Sequence, residues 1–140
     1  MTLFDTSVLI DARDADSPWH EWAKREIADA NDEDSAAVNT IVIAEAAVRV
    51  KEREHFVTNL AKTGLKLLPL PISAAAPAAK AYANYLQRLH AEGKSRPSKI
   101  PLGDFFIGAH AEAEGMKLVT RDPDRIKTYF PSVKLIVPKI

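Results

Sequence analysis

The chain contains no cysteine, so disulfides and thiolate metal sites are excluded. A reducing compartment suits such a sequence, and a cytoplasmic location is expected. It also lacks an excess of either charge, with 19 Lys and Arg against 19 Asp and Glu. That balance excludes a domain that coats nucleic acid by net charge alone, because such domains are basic. It leaves room for an enzyme whose acidic site and basic surroundings cancel. No apolar run approaches the roughly 20 residues that span a bilayer. No basic and apolar leader precedes Leu3-Phe4-Asp5, so neither a membrane span nor a secretory leader is expected. Repeats and low-complexity segments are missing too. What remains is an ordinary globular composition, 46% hydrophobic and 27% charged over 140 residues. That is enough for one domain with a real core and too little for two.

Short apolar runs alternate with longer helical patterns. Residues 2–6 read as a buried strand, with Thr6-Ser7 as the cap of a short helix through Asp11. Ser17-Pro18 opens a helix to about residue 30, and residues 31–35 form a polar turn. A strand at 36–38 leads into an Ala-rich helix over 40–53, then a shorter helix over 55–62 stopped by Gly64. A third strand at 65–70 precedes a long helix over 73–92, with Pro77 in its first turn. After a basic loop at 93–99 come a helix over 102–114, a strand at 117–120 and a fifth strand at 134–137. Strands separated by helices predict an α/β fold, with a mainly parallel sheet of four to five strands flanked by helices on both faces. In such sheets sites lie beyond the carboxyl ends of the strands.

Four acids stand out there. Asp5 closes the first strand, and Asp122 follows the strand at 117–120. Glu45 interrupts an otherwise uncharged stretch between Asn39 and Arg49, where a carboxylate loses hydration unless it is paired or binds a cation. Asp104 lies in the first turn of its helix, where the dipole favours an anion, and Gly108 and Ala111 strip the same face of bulk. Each has a plain alternative: a turn or cap for Asp5 and Asp122, a solvent-facing helix position for Glu45, an ordinary N-terminal helix acid for Asp104. Together they are stronger, since a parallel sheet would bring all four to one place. Clustered carboxylates repel, and a hard divalent cation relieves the repulsion. With no Cys and no paired His spacing, Mg²⁺ or Mn²⁺ is expected rather than zinc, and two ions are common in such sites.

The blocks Leu3-Phe4-Asp5-Thr6-Ser7-Val8-Leu9-Ile10, Ile43-Ala44-Glu45, Leu102-Gly103-Asp104-Phe105-Phe106-Ile107-Gly108-Ala109 and Leu118-Val119-Thr120-Arg121-Asp122 resemble the signature blocks of PIN domains. Among these the chain is most similar to the VapC-type toxins of prokaryotic toxin–antitoxin pairs, over nearly its whole length as a single PIN-like nuclease domain. The resemblance implies a Mg²⁺- or Mn²⁺-dependent endoribonuclease, an antitoxin partner and a homodimer. By position it carries the acidic quartet onto Asp5, Glu45, Asp104 and Asp122, with Asp124 able to share or replace the role of Asp122. Thr6, Ser7 and Thr120 match polar positions near the metal. Gly103 and Gly108 stand where the family has better helix formers, which weakens that helix by propensity.

Other residues bear on substrate and partners. Lys94, Arg96 and Lys99 precede the Asp104 helix, placed to hold an RNA backbone or simply to be solvated. Arg121 is positioned to contact a phosphate or to pair with a local carboxylate. Trp19 and Trp22 are three apart, which puts them on one helix face, either in the core or against a partner. The four histidines show no pairing pattern and read as structural or surface residues. In the expected reaction metal-activated water hydrolyses an RNA phosphodiester. The competing readings are a PIN nuclease of DNA or RNA processing without an antitoxin, and a non-catalytic PIN-fold binding module.

Overall fold

A computed structural model describes residues 1–95 and 102–139. Five strands form one all-parallel sheet: β1 (Thr2–Phe4), β2 (Ala36–Asn39), β3 (Lys66–Leu68), β4 (Lys117–Val119) and β5 (Leu135–Ile136). Their order is β3-β2-β1-β4-β5. The helices are α1 (Thr6–Arg13), α2 (His20–Asp32), α3 (Thr40–Ala47), α4 (Arg53–Ala61), α5 (Ala75–Ala91), α6 (Leu102–Ala113) and α7 (Asp124–Tyr129). β1 lies in the middle, with Leu3 opposite Ala37 of β2 on one side and Leu118 of β4 on the other. The strand order turns back at this central pair: β2 and β3 run to one side of β1, β4 and β5 to the other. A crevice opens at such a switch point, beyond the carboxyl ends of β1 and β4.

The strands are short because each carries only a few residues buried on both faces. Leu3, Phe4, Val38, Leu118 and Val119 are fully buried, which is the pattern of a parallel sheet covered by helices. The sequence pattern extends the first strand over residues 2–6, but β1 stops at Phe4, and Asp5 rather than Thr6 or Ser7 caps α1. The helix expected over 40–53 breaks after Ala47. There the Ala47 carbonyl accepts both the Val50 N–H and the Arg53 Nε–H at 3.2 Å, and the turn lets Phe56 and Leu60 of α4 reach the core. The helix expected from Ser17 likewise begins late. Ser17 opens a turn, its Oγ accepting from the Trp19 N–H at 3.1 Å, and α2 starts only at His20.

α6 packs against α5 through a cluster of rings, in which Phe105 meets Tyr82, Tyr85, Tyr129 and Phe130 at centroid separations of 5.4–6.4 Å. Gly108 is required here. A Cβ on it would lie 2.5 Å from Cδ2 of Phe130, so the glycine serves close packing against the segment after β4. At the far end of β2, Asn39 is fully buried; its Oδ1 caps α3 by accepting from the Val42 N–H at 3.0 Å. Its Nδ2 lies 3.0 Å from Nδ1 of buried His110 on α6. Burial pushes the His110 imidazole below its ordinary value. Among the described residues no helix is long and apolar enough to cross a membrane.

Candidate active site

A cleft of about 600 Å³ opens at the switch point. Asp5, Glu45, Asp104 and Asp122 all line it, each delivered by a different element. Asp5 is set by the end of β1 and by its capping role. Its Oδ1 accepts the Thr6 N–H at 2.7 Å, while its Oδ2 accepts the Thr120 hydroxyl at 2.8 Å. Thr120 is fully buried past the end of β4, and its Oγ1 also accepts from the Asp122 N–H at 3.1 Å. One threonine therefore ties two of the four acidic segments together. Burial pushes the Asp5 carboxyl up to about 6, and the charges of Asp104 and Glu45 add to the rise. The bonds from Thr120 and Thr6 pull the other way without cancelling it.

Glu45 and Asp104 come from helices and have looser partners. Glu45 is exposed on α3, and its Oε1 accepts the Thr6 hydroxyl at 2.6 Å. The approach depends on Gly103, where a Cβ would stand 2.9 Å from the Glu45 Oε2. Asp104 accepts from Nη1 of Arg125 at 2.5 Å. The Arg125 guanidinium also lies over the Tyr85 and Phe105 rings, at 5.6 and 5.9 Å. Asp122 is exposed at the mouth. Asp124 opens α7 and lines a separate hollow with Tyr85, Arg88 and Thr128.

The donor set of the cleft is oxygen only. The Ser7 hydroxyl faces this region, buried and without a hydrogen-bond partner among the described residues. Among the same residues no three acidic or imidazole side chains stand close enough together to hold a metal ion as they are placed. The Arg125 contact to Asp104 and the Thr6 contact to Glu45 are the interactions that a cation would have to replace or share. In kind, the residues fit a hard divalent ion: carboxylates, an orphan hydroxyl, and one carboxyl raised by burial and by its acidic neighbours.

Of the basic residues, Arg121 lines the cleft and pairs with a carboxylate, its Nε donating to Asp11 at 2.7 Å. Lys94 stands beside Glu92 at 3.5 Å and lines the hollow of Asp124 rather than the acidic cleft. Arg96 and Lys99 lie outside the described residues. Trp19 and Trp22 do not act as one face: Trp22 packs on the core, whereas Trp19 precedes α2 and lines the cleft. Sequence reasoning passed over Asp11, Arg49 and Arg125, all of which line the cleft. For Arg49 a signal existed, since it follows Glu45 by four residues on a helical pattern and so shares its side. For Asp11 and Arg125 the partners are 110 and 21 residues away, which no local pattern reveals.

Comparison with known proteins agrees with this architecture. No curated protein matches the sequence. Among solved structures, the chain is similar to one in VapBC2 from Rickettsia felis bound to a promoter DNA fragment, with a TM-score of 0.63 and 18% identity over 99% of this chain and 98% of that one. A toxin–antitoxin complex from Klebsiella pneumoniae gives 0.66 and 20%, covering 99% and 98%. DNA-bound VapBC from Salmonella typhimurium gives 0.66 and 16%, covering 97% and 96%. At these identities the likeness is one of fold. The PIN domain model, in contrast, matches the sequence itself over residues 2–131. With β1, α6 and β4 all inside that match, the chain belongs to the PIN domain family.

Proposed function

We propose that the protein is a Mg²⁺- or Mn²⁺-dependent endoribonuclease that acts as the toxin of a toxin–antitoxin pair. The observation that carries this reading is that four carboxylates line one cleft at the switch point, among them an Asp5 whose carboxyl is pushed up to about 6. An arrangement of that kind costs stability and has no use in a simple binding module. Asp5, Asp104, Asp122 and Glu45 would hold the ion, with Thr6, Ser7 and Thr120 as polar support. When bound, Mg²⁺ or Mn²⁺ supplies the positive charge that admits a phosphodiester and acidifies water for in-line hydrolysis.

The chain's own residues prepare the site. Thr120 and the Thr6 N–H hold the two Asp5 oxygens in fixed directions. Thr6 orients Glu45, and Gly103 leaves the space for it. The four negative charges repel the polyanion until a cation is present, so substrate entry depends on the loaded state. Hydrolysis in this sense leaves 5′-phosphate and 3′-hydroxyl ends.

The toxin reading is supported by the structural neighbour from Klebsiella pneumoniae, described as a toxin–antitoxin complex, and by the VapBC neighbours. An antitoxin would restrain the enzyme by covering the cleft, and a homodimer is the expected assembly. The test is cleavage of single-stranded RNA by the purified protein with Mg²⁺ or Mn²⁺, combined with expression in a host lacking the partner. Metal-dependent cleavage and growth arrest, both lost in Asp104→Asn, are expected. Full activity after exhaustive chelation would defeat the metal mechanism, and harmless high-level expression of active enzyme would favour a processing nuclease.

A further inference from the structure

An ion pair between a buried carboxylate and a partly exposed arginine stands on the wall of the cleft, apart from the four acids. Asp11, in the last turns of α1, is only 4% exposed. A carboxylate so placed must be fully paired. Its Oδ2 accepts Nε–H of Arg121 at 2.7 Å and its Oδ1 accepts the Ser17 hydroxyl at 3.0 Å. Its backbone oxygen lies 2.9 Å from Nδ1 of His20. These contacts join α1, the start of α2 and the segment after β4.

The manner of pairing is informative. An arginine whose only task is to neutralise a carboxylate is commonly bidentate, presenting two parallel N–H groups. Here Asp11 takes only Nε. The two terminal amino groups of Arg121 have no hydrogen-bond partner among the described residues. The side chain is 34% exposed and lines the same cleft as Asp5 and Asp104. Arg121 is also the residue between Thr120, which holds Asp5, and Asp122. A guanidinium gripped at its inner nitrogen, with the outer fork free, is matched to two oxygens of one phosphate.

We infer that Asp11 is a positioning residue, which holds the Arg121 guanidinium so that its two free amino groups bind a backbone phosphate of the RNA strand lying across the acidic site. Arg121 thereby sets where the strand sits and Asp11 sets where Arg121 sits. The inference rests on the nuclease reading for its substrate. It goes beyond that reading by assigning the phosphate contact and the device that aims it.

The test uses the full-length protein with Mn²⁺ and a labelled single-stranded oligoribonucleotide, comparing the parent with Arg121→Lys and Asp11→Asn. Lysine keeps the charge and can still pair with Asp11, but it has no fork left over for a phosphate. In the second variant the asparagine side chain keeps the shape and the Ser17 contact while loosening the grip. Arg121→Lys should raise KM about 10- to 100-fold, with a smaller effect on kcat, as loss of a charge-assisted phosphate contact implies. It should also reduce the slope of log affinity against log salt by about 0.7, the share of one single-strand phosphate. Asp11→Asn should raise KM in the same direction and by less. Combining the two should add little to Arg121→Lys alone. Thermal melting of each variant separates these effects from unfolding. If the parent cleaves RNA while Arg121→Lys keeps the parental KM and salt slope, Arg121 is merely the counterion of Asp11 and the inference is overturned. If the parent neither binds nor cleaves RNA, the nuclease reading itself falls and the inference with it.

Discussion

The two walls of the cleft hold their carboxylates in different ways. On the sheet side, Asp5 is fixed by β1, by its role as helix cap and by a hydroxyl from fully buried Thr120. On the helix side, Glu45 and Asp104 rest on Thr6 and on Arg125, and the Arg125–Asp104 pair is 35% and 44% exposed. An exposed pair of this kind contributes little to stability and exchanges readily. The contrast teaches that one wall is rigid before any ligand arrives, whereas the other keeps its acids on partners that can be released.

The largest effect is expected at the rigid wall. On the proposed reading Asp5→Asn should reduce RNA cleavage by at least about 100-fold, because it would remove a ligand of the ion. In chelated buffer at neutral pH the same change should stabilise the fold by about 1–3 kcal/mol. The Asp5 carboxyl titrates near 6 when folded against 3.8 as its ordinary value. A raised acid favours the folded state fully below the ordinary value and loses that contribution as pH climbs through the folded one. The variant's advantage, measured by denaturant melts, should therefore grow between about pH 4 and pH 6 and vanish below. A variant no more stable than its parent at neutral pH would mean that the carboxylates do not strain the site.

Two glycines of α6 sharpen the comparison next. Gly108→Ala drives a methyl into the Phe130 ring in the core and should cost about 1–3 kcal/mol, despite the better helix propensity of alanine. Gly103→Ala crowds chiefly the flexible end of Glu45, with Ile41 at ordinary contact, so melting should stay within about 1 kcal/mol of the parent while activity falls. Equal losses of stability at both positions would erase the distinction between core and site. Thr120→Val should cost about 1–2 kcal/mol, since it leaves the Asp122 N–H without its acceptor. It should also move the acid limb of the pH–rate profile upward, because the hydroxyl that holds the Asp5 carboxyl down is lost. The smallest change is expected for Arg125→Gln on the releasable wall. Stability should shift by less than about 1 kcal/mol, and Mn²⁺ should bind several-fold tighter by calorimetry once Asp104 is free. Weaker Mn²⁺ binding would make Arg125 an organiser rather than a placeholder.

The carboxylates and the fold class are legible in the sequence because they break strong local patterns. Glu45 stands in an apolar helix, Asp5 and Asp122 follow buried strands, and the alternation of strand and helix predicts a parallel sheet. What stays hidden depends on distant chain segments. Asp11 looks like any helical acid until Arg121 arrives from beyond β4. Gly108 reads as a gap on a helix face, but that the Phe130 ring fills it is not legible locally. The helix over 40–53 reads as continuous because its propensity is unbroken, and only the need of Phe56 and Leu60 to reach the core interrupts it. The separation of Trp19 from Trp22 has the same origin, since the helix starts after the first of them.

The bond between Thr120 and Asp5 joins residues 115 positions apart. Its consequence lies in time. At a synthesis rate of about 5–20 residues per second, Thr120 leaves the ribosome roughly 6–23 s after Asp5. Until then β1 has its β2 neighbour but not β4, and the cleft has only one of its walls. A growing chain therefore carries most of its acids without a competent centre.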